Sequence, residues 1–133
     1  MATREEAMTW EEYYAKFFDW SESTQIRRLS DLRTLGSHKQ VAEIVTEFLD
    51  EKAATRLANK AMDAGMHFTA AEIIEMADYV SRECMNRLVT HVIGGFTPEQ
   101  VDDLYPDVDE PVFDRLVRRY GSAEEALNRK LES

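Results

Sequence analysis

The chain is predicted to be all-α, built as four antiparallel helix hairpins followed by one closing helix. Three observations predict this. Helix-start signals recur at near-constant spacing, an Arg-Leu pair sits at the same depth in every second helix, and all five glycines fall shortly after those pairs, where helices end.

The first helix of each hairpin opens at a capping box, in which a Ser or Thr accepts from a backbone N–H three residues on while a Glu or Gln reaches back. The boxes are Thr9…Glu12, Ser37…Gln40, Thr69…Glu72 and Thr97…Gln100, and Pro98 supplies a first-turn proline. Apolar residues then fall at +4, +8 and +11 from each box: Tyr13, Phe17, Trp20; Val41, Val45, Phe48; Ile73, Ala77, Val80; Val101, Tyr105, Val108. That spacing predicts one buried face per helix.

The second helices carry Arg28-Leu29, Arg56-Leu57, Arg87-Leu88 and Arg115-Leu116, at steps of 28, 31 and 28 residues. Six residues before each Arg stands an N-cap, Asp50, Ser81 or Asp109, with Glu22 or its neighbours Ser21 and Ser23 in the first hairpin. Hydrophobic staples are expected between Leu49 and Ala54, Val80 and Met85, and Val108 and Phe113. Residues 68–89 and 96–117 align at an offset of 28 with six identities in 22, so the last two full hairpins are copies of one unit. The predicted hairpins span about 9–35, 37–64, 69–94 and 97–121, and Ser122…Glu125 opens a closing helix over 122–132.

This pattern resembles an α-solenoid, and most closely short HEAT-type repeats, in which helix pairs stack side by side into a right-handed array. Asp50/Arg56 and Asp109/Arg115 have the Asp-to-Arg spacing of six seen in such repeats. Ser81 replaces that Asp in the third hairpin, and the branched apolar residue usual before the Arg is here Arg27, Thr55, Asn86 or Asp114. The resemblance implies a single repeat domain and a fold-level likeness only; it carries no activity.

On a helical wheel each recurrent Arg lies at the margin of the buried stripe. A ladder between hairpins is expected, Arg28 to Asp50, Arg56 to Ser81 and Arg87 to Asp109, with Arg115 as the last member of the series.

Composition narrows the function. Residues 1–66 carry nine bases and twelve acids, residues 67–133 seven and fourteen, giving a net −10 weighted toward the second half. Such a field repels phosphate backbones and anionic lipid, so neither nucleic acid nor membrane is an expected partner. No apolar run approaches the roughly 18 residues of a spanning helix, and the first twenty residues lack a signal-peptide pattern. With a single cysteine, a reducing cytoplasm is the expected compartment.

Chemical motifs are sparse. Asp103, Asp107 and Asp109 invite a calcium reading, but the segment contains no glycine for the sharp turn of an EF-hand loop. His38, His67 and His91 lack the spacing of a zinc site. Cys84 falls in the first turn of a helix, where a thiolate is conceivable; its counterparts Ala53 and Val112 indicate a packed apolar position instead. No cofactor, metal or catalytic residue is predicted.

The stretch "WEEYYAKFFDW" exceeds structural need, placing both tryptophans and four other aromatics within eleven residues. Their wheel angles span about 160°, wider than the stripe of about 100° a surface helix buries. That surplus either thickens the core of the terminal hairpin or docks a partner. Stacked hairpins present a long face of parallel helices, so the expected function is a non-enzymatic interaction module or scaffold, binding a basic peptide or domain. Glu99, Asp102, Asp103 and Asp107 are the expected charge contacts. Trp10, Phe18 and Trp20 are the expected apolar ones, toward a partner or a second copy of the chain. The alternative is a nucleic-acid-binding HEAT-like protein of the DNA-repair glycosylase type, using Arg27, Arg28, Arg56, Arg87, Arg118 and Arg119 in one groove.

Overall fold

The computed structural model describes residues 7–124, and those residues are mostly helical. Eight α-helices follow in order: α1 Trp10–Phe17, α2 Glu22–Arg28, α3 His38–Val45, α4 Glu51–Asp63, α5 Ala70–Met76, α6 Arg82–Leu88, α7 Pro98–Asp103 and α8 Glu110–Tyr120. The expected closing helix lies outside the described residues apart from its first positions.

Local chemistry starts each helix where the sequence places it. Thr9, Ser37, Thr69 and Thr97 are the N-caps of α1, α3, α5 and α7, each accepting from the N–H three residues on. The reciprocal arm closes only at Glu72 and Gln100. Gln40 is diverted, because its Oε1 accepts from Trp10 Nε1 at 3.0 Å. Ser21, Asp50 and Ser81 cap α2, α4 and α6 through their side chains. Asp109 occupies the cap position of α8 without a side-chain cap bond; its carboxylate instead accepts from Asn86 Nδ2 at 2.8 Å.

Helix pairs are closed in two ways. The long second helices α4 and α8, 13 and 11 residues, pack directly on α3 and α7. The short ones, α2 and α6, are 7 residues each, and the chain leaving them runs extended beside the chain that entered the hairpin. Met8 bridges Leu32 in parallel, and β1 (Phe68–Thr69) pairs in parallel with β2 (Val92–Ile93). Short and long hairpins thus alternate. Arg28 and Arg87, at the short second helices, are 59 residues apart, as are Arg56 and Arg115 on the long ones.

Between hairpins, α3 lies against α5, α5 against α7, and α4 against α6. The core follows this contact path. Tyr13, Val41, Val45, Ile73 and Val101 are fully buried at the predicted +4 and +8 positions, and Leu29, Leu57, Leu88 and Leu116 are all buried beside their arginines.

Three local expectations are corrected. Tyr105, placed in the core by periodicity, is 63% exposed, and Leu104 is buried in its stead. Pro106 is the cause: it has no N–H to donate to the Asp102 carbonyl, so the α-helical ladder ends, α7 stops at Asp103 and a 3-10 turn over Tyr105–Asp107 rotates the frame. Leu49 is 87% exposed and staples nothing. Gly36, unlike the other four glycines, has no positive φ; a Cβ there would run into the Trp10 indole and the Gln40 side chain.

Candidate interaction surface

The turn inside each hairpin joins its two helices, and successive turns are tied to one another. Phe17 meets Phe48 edge-on at 5.1 Å, linking the first two turns. The Ser81 N–H donates to Thr55 Oγ1 at 2.9 Å, holding the start of α6 against α4. Arg82 donates to the Val108 and Pro106 carbonyls at 2.9 and 3.2 Å, joining the third turn to the fourth. These contacts connect the first turn to the second, the start of α4 to the start of α6, and the start of α6 to the fourth turn.

Each turn exposes one large apolar side chain. Phe18 is 50% exposed, Leu49 87%, Tyr79 37% and Tyr105 63%; among the described residues the only other such side chain is Ile93, at the opposite end of its hairpin. Each turn also carries acid. Segments 18–21, 46–50, 77–81 and 104–109 contain Asp19, Glu47, Asp50, Asp78, Asp107 and Asp109, and no Lys or Arg. The Asp107 carboxyl is raised above its ordinary range by partial burial and by the negative charge of Asp78, against the opposing pull of Arg82. Two carboxylates from neighbouring turns thus repel each other, and Arg82 offsets part of that repulsion.

The sequence-predicted contacts divide. Phe18 lies in the first turn, and Trp20 is half-buried beside it, its ring edge-on to Tyr13 at 5.6 Å. Trp10 is 1% exposed and belongs to the core, so it presents nothing to a partner. Asp103 and Asp107 lie at the fourth turn, and Glu99 is exposed farther back on α7. Asp102 is committed internally, accepting from Ser122 Oγ at 2.6 Å and from the Glu124 N–H at 3.1 Å. Leu49, Tyr79 and Tyr105 were not predicted to be exposed. Leu49 and Tyr79 sit one and two residues before a cap, and that position is the one signal that marks them as turn residues.

The arginine ladder also forms differently. Arg28 pairs with Asp31 at 2.8 Å, while Asp50 caps its own helix. Arg56 donates back to Ser30 at 3.1 Å, and Arg87 back to Asp63 at 2.6 Å and Asn59 at 3.2 Å. The forward links come from the residues before Arg56 and Arg87: Thr55 holds the Ser81 N–H, and Asn86 holds both the N–H and the carboxylate of Asp109. Polar residues at that position thus splice consecutive second helices.

Other chemistry is confined. Among the described residues no three of His, Cys, Asp and Glu are grouped to hold a metal. Cys84 is 2% exposed, and burial pushes its thiol up to about 12 despite the nearby Arg87. His38 joins α3 to α5 through Glu72 at 2.8 Å, and the His67 and His91 rings lie 5.2 Å apart. No helix among the described residues is long and apolar enough to cross a membrane. Compared with protein-family models, with curated proteins and with solved structures, the chain has no match in any of the three.

Proposed function

We propose that the chain is a non-enzymatic interaction module, a HEAT-like right-handed α-solenoid whose turns grip a basic segment bearing apolar side chains. The observation that carries this reading is the repetition of one exposed apolar residue beside carboxylates in all four turn segments, which hold no Lys or Arg of their own, Arg82 of α6 being the one base that reaches the fourth among the described residues. Leu49 is the most exposed of the four, at 87%. Apolar anchors supply affinity when buried, and the surrounding acid selects the sign of the partner. Duplex binding finds less support, since Arg28 and Arg87 are paired with Asp31 and Asp63. A cytoplasmic setting accords with the single, buried cysteine.

A screen of immobilised random 15-residue peptides tests this. Enriched sequences are expected to be basic and to carry Leu, Phe or Trp, with binding that weakens as salt rises. The triple variant Phe18→Ser, Leu49→Ser, Tyr105→Ser is expected to lose that binding while still unfolding in one cooperative transition, at a somewhat lower temperature because Phe18 and Tyr105 each meet a neighbouring ring edge-on. Enrichment of acidic peptides, or binding unaffected by the triple variant, overturns the proposal.

A further inference from the structure

The second and third hairpins treat the arginine that follows them in opposite ways. In α4, Asn59 and Asp63 stand three and seven residues after Arg56, and both receive the guanidinium of Arg87. In the third hairpin the positions three and seven after Arg87 are Thr90 and Gly94. There α6 has already ended at Leu88, six residues shorter than the 13-residue α4. The Thr90 hydroxyl donates to the Arg87 carbonyl at 2.7 Å, and Gly94 has no side chain to offer. Arg115, the next arginine of the series, is left with no carboxylate within 4.0 Å among the described residues.

The missing last turns of α6 leave a pocket of about 500 Å³, with Thr90, Gly94, Arg115 and Arg119 on its walls. Val89, Val92, Val112 and Leu116 make its apolar surface, and no Asp or Glu among the described residues lines it. Arg115 and Arg119 are one helical turn apart on α8 and share its face. The Arg119 guanidinium lies 5.3 Å from the Tyr120 ring centroid, a contact that leaves its N–H donors available. In a chain of net charge −10, two arginines with no carboxylate within 4.0 Å among the described residues, set over an apolar floor, are a local inversion of sign.

We infer that this pocket binds a small organic carboxylate with a compact apolar body, whose head group takes the place at Arg115 that Asp63 takes at Arg87. The planar guanidinium matches a carboxylate in two parallel hydrogen bonds, and the valine and leucine floor takes the hydrocarbon. The volume falls within the range of about 300–1,000 Å³ typical of small-molecule sites. The pocket is set beyond the C-terminal end of α6, away from the four turns, so its ligand and the basic segment are separate questions.

Octanoate, 1-octanol and inorganic phosphate, titrated into the uniformly labelled chain and followed by amide chemical shifts, decide the matter. Octanoate is expected to shift Thr90, Gly94 and Gly95 and to bind at least tenfold more tightly than either control. Arg115→Gln/Arg119→Gln is expected to weaken octanoate at least tenfold with an unchanged melting transition. Gly94→Asp places a carboxylate seven residues after Arg87, as Asp63 is after Arg56; nothing lies within 4 Å of a Cβ there, the left-handed backbone at φ 77° costs about 1 kcal/mol, and the variant is expected to stay folded and block octanoate. Octanol binding as tightly as octanoate, phosphate binding as tightly, shifts confined to other residues, or octanoate binding unchanged in either variant each overturns the inference. Should the double variant fail to fold, the shift map of the unaltered chain decides alone.

Discussion

Arg87 reaches backward: its Nη2 donates to Asp63 Oδ1 at 2.6 Å, joining the third hairpin to the end of the second. The geometry is close, yet the Arg87 and Asp63 side chains are 38% and 70% exposed. Solvent therefore screens the attraction, and a double-mutant cycle of Arg87→Ala with Asp63→Ala is expected to give a coupling of about 0.3–1 kcal/mol. The same cycle with Asp109→Ala in place of Asp63→Ala is expected to be additive to within about 0.3 kcal/mol. Coupling to Asp109 instead would restore the forward ladder.

Trp10 tests the division between core and surface in the aromatic stretch. It is 1% exposed, its backbone N–H donates to Thr34 Oγ1 at 2.8 Å, and its indole donates to Gln40. Trp10→Ala is expected to destabilise by about 3–5 kcal/mol through the cavity it opens. Phe18→Ala, at 50% exposure, is expected to cost well under half of that. Urea titration of the two variants makes the comparison, and equal losses would place Phe18 in the core as well.

Much of the fold is legible because helix starts are local. A capping side chain needs only its own next three residues, so Ser37, Thr69 and Thr97 are readable without tertiary knowledge. Leu104 and Tyr105 show where that ends. The +8 rule assumes an unbroken helix, and the proline at 106 rotates the frame so that its neighbour is buried instead. The arginine partners were illegible for a different reason. Their acceptors depend on how far the preceding second helix extends, and α4 and α6 differ by six residues although their starts look alike. The exposed Leu49 was misread because a staple needs the chain to fold back over the first turn, which a side chain 87% exposed does not do.

Glycines 65 and 95 separate backbone strain from crowding. Both have positive φ, 87° and 76°, but a Cβ on Gly65 meets nothing within 4 Å, whereas one on Gly95 lies 2.7 Å from Tyr120 Cε1. Gly65→Ala is expected to cost about 1 kcal/mol from the left-handed backbone alone. Gly95→Ala carries the same strain and must also displace the tyrosine ring, so its melting temperature is expected to fall further. Thermal melts of the two variants side by side provide the check; an equal fall would show that Tyr120 yields freely.

Cys84 links burial to pH. Its folded value of about 12 lies above the ordinary 9.0, so the neutral thiol is the form the fold favours. The contribution is fully present below pH 9, and it is lost progressively as pH rises from 9 toward 12, because the unfolded chain releases the proton first. Tyr13, also raised by burial, acts in the same direction at higher pH. Stability is therefore expected to decline above pH 9, less steeply in Cys84→Ala, and the native thiol is expected to resist alkylation at pH 8 until denaturant is added. Rapid labelling of the folded chain would show that the thiol is accessible.

Asn86 offers the sharpest test of the splice between second helices. Its Oδ1 accepts the Asp109 N–H at 2.9 Å while its Nδ2 donates to the Asp109 carboxylate at 2.8 Å, so one amide satisfies both groups at the start of α8. Asn86→Asp keeps the size and the acceptor but replaces the donor with a second negative charge facing the first. Arg82, whose Nε is 4.0 Å from Asp109, is too distant to compensate fully. A loss of about 1–2 kcal/mol at neutral pH is expected, combining a broken charge-assisted hydrogen bond with like-charge repulsion. The loss is expected to shrink as pH falls through the carboxylate range, since protonating either acid restores a donor. Thr55→Val removes the corresponding link to Ser81 and, with no charge involved, is expected to destabilise about equally at every pH. Denaturant melts of both variants between pH 4 and 7 discriminate: a pH-independent deficit in Asn86→Asp would mean that Asp109 turns away to solvent, and the splice would then reduce to its backbone half.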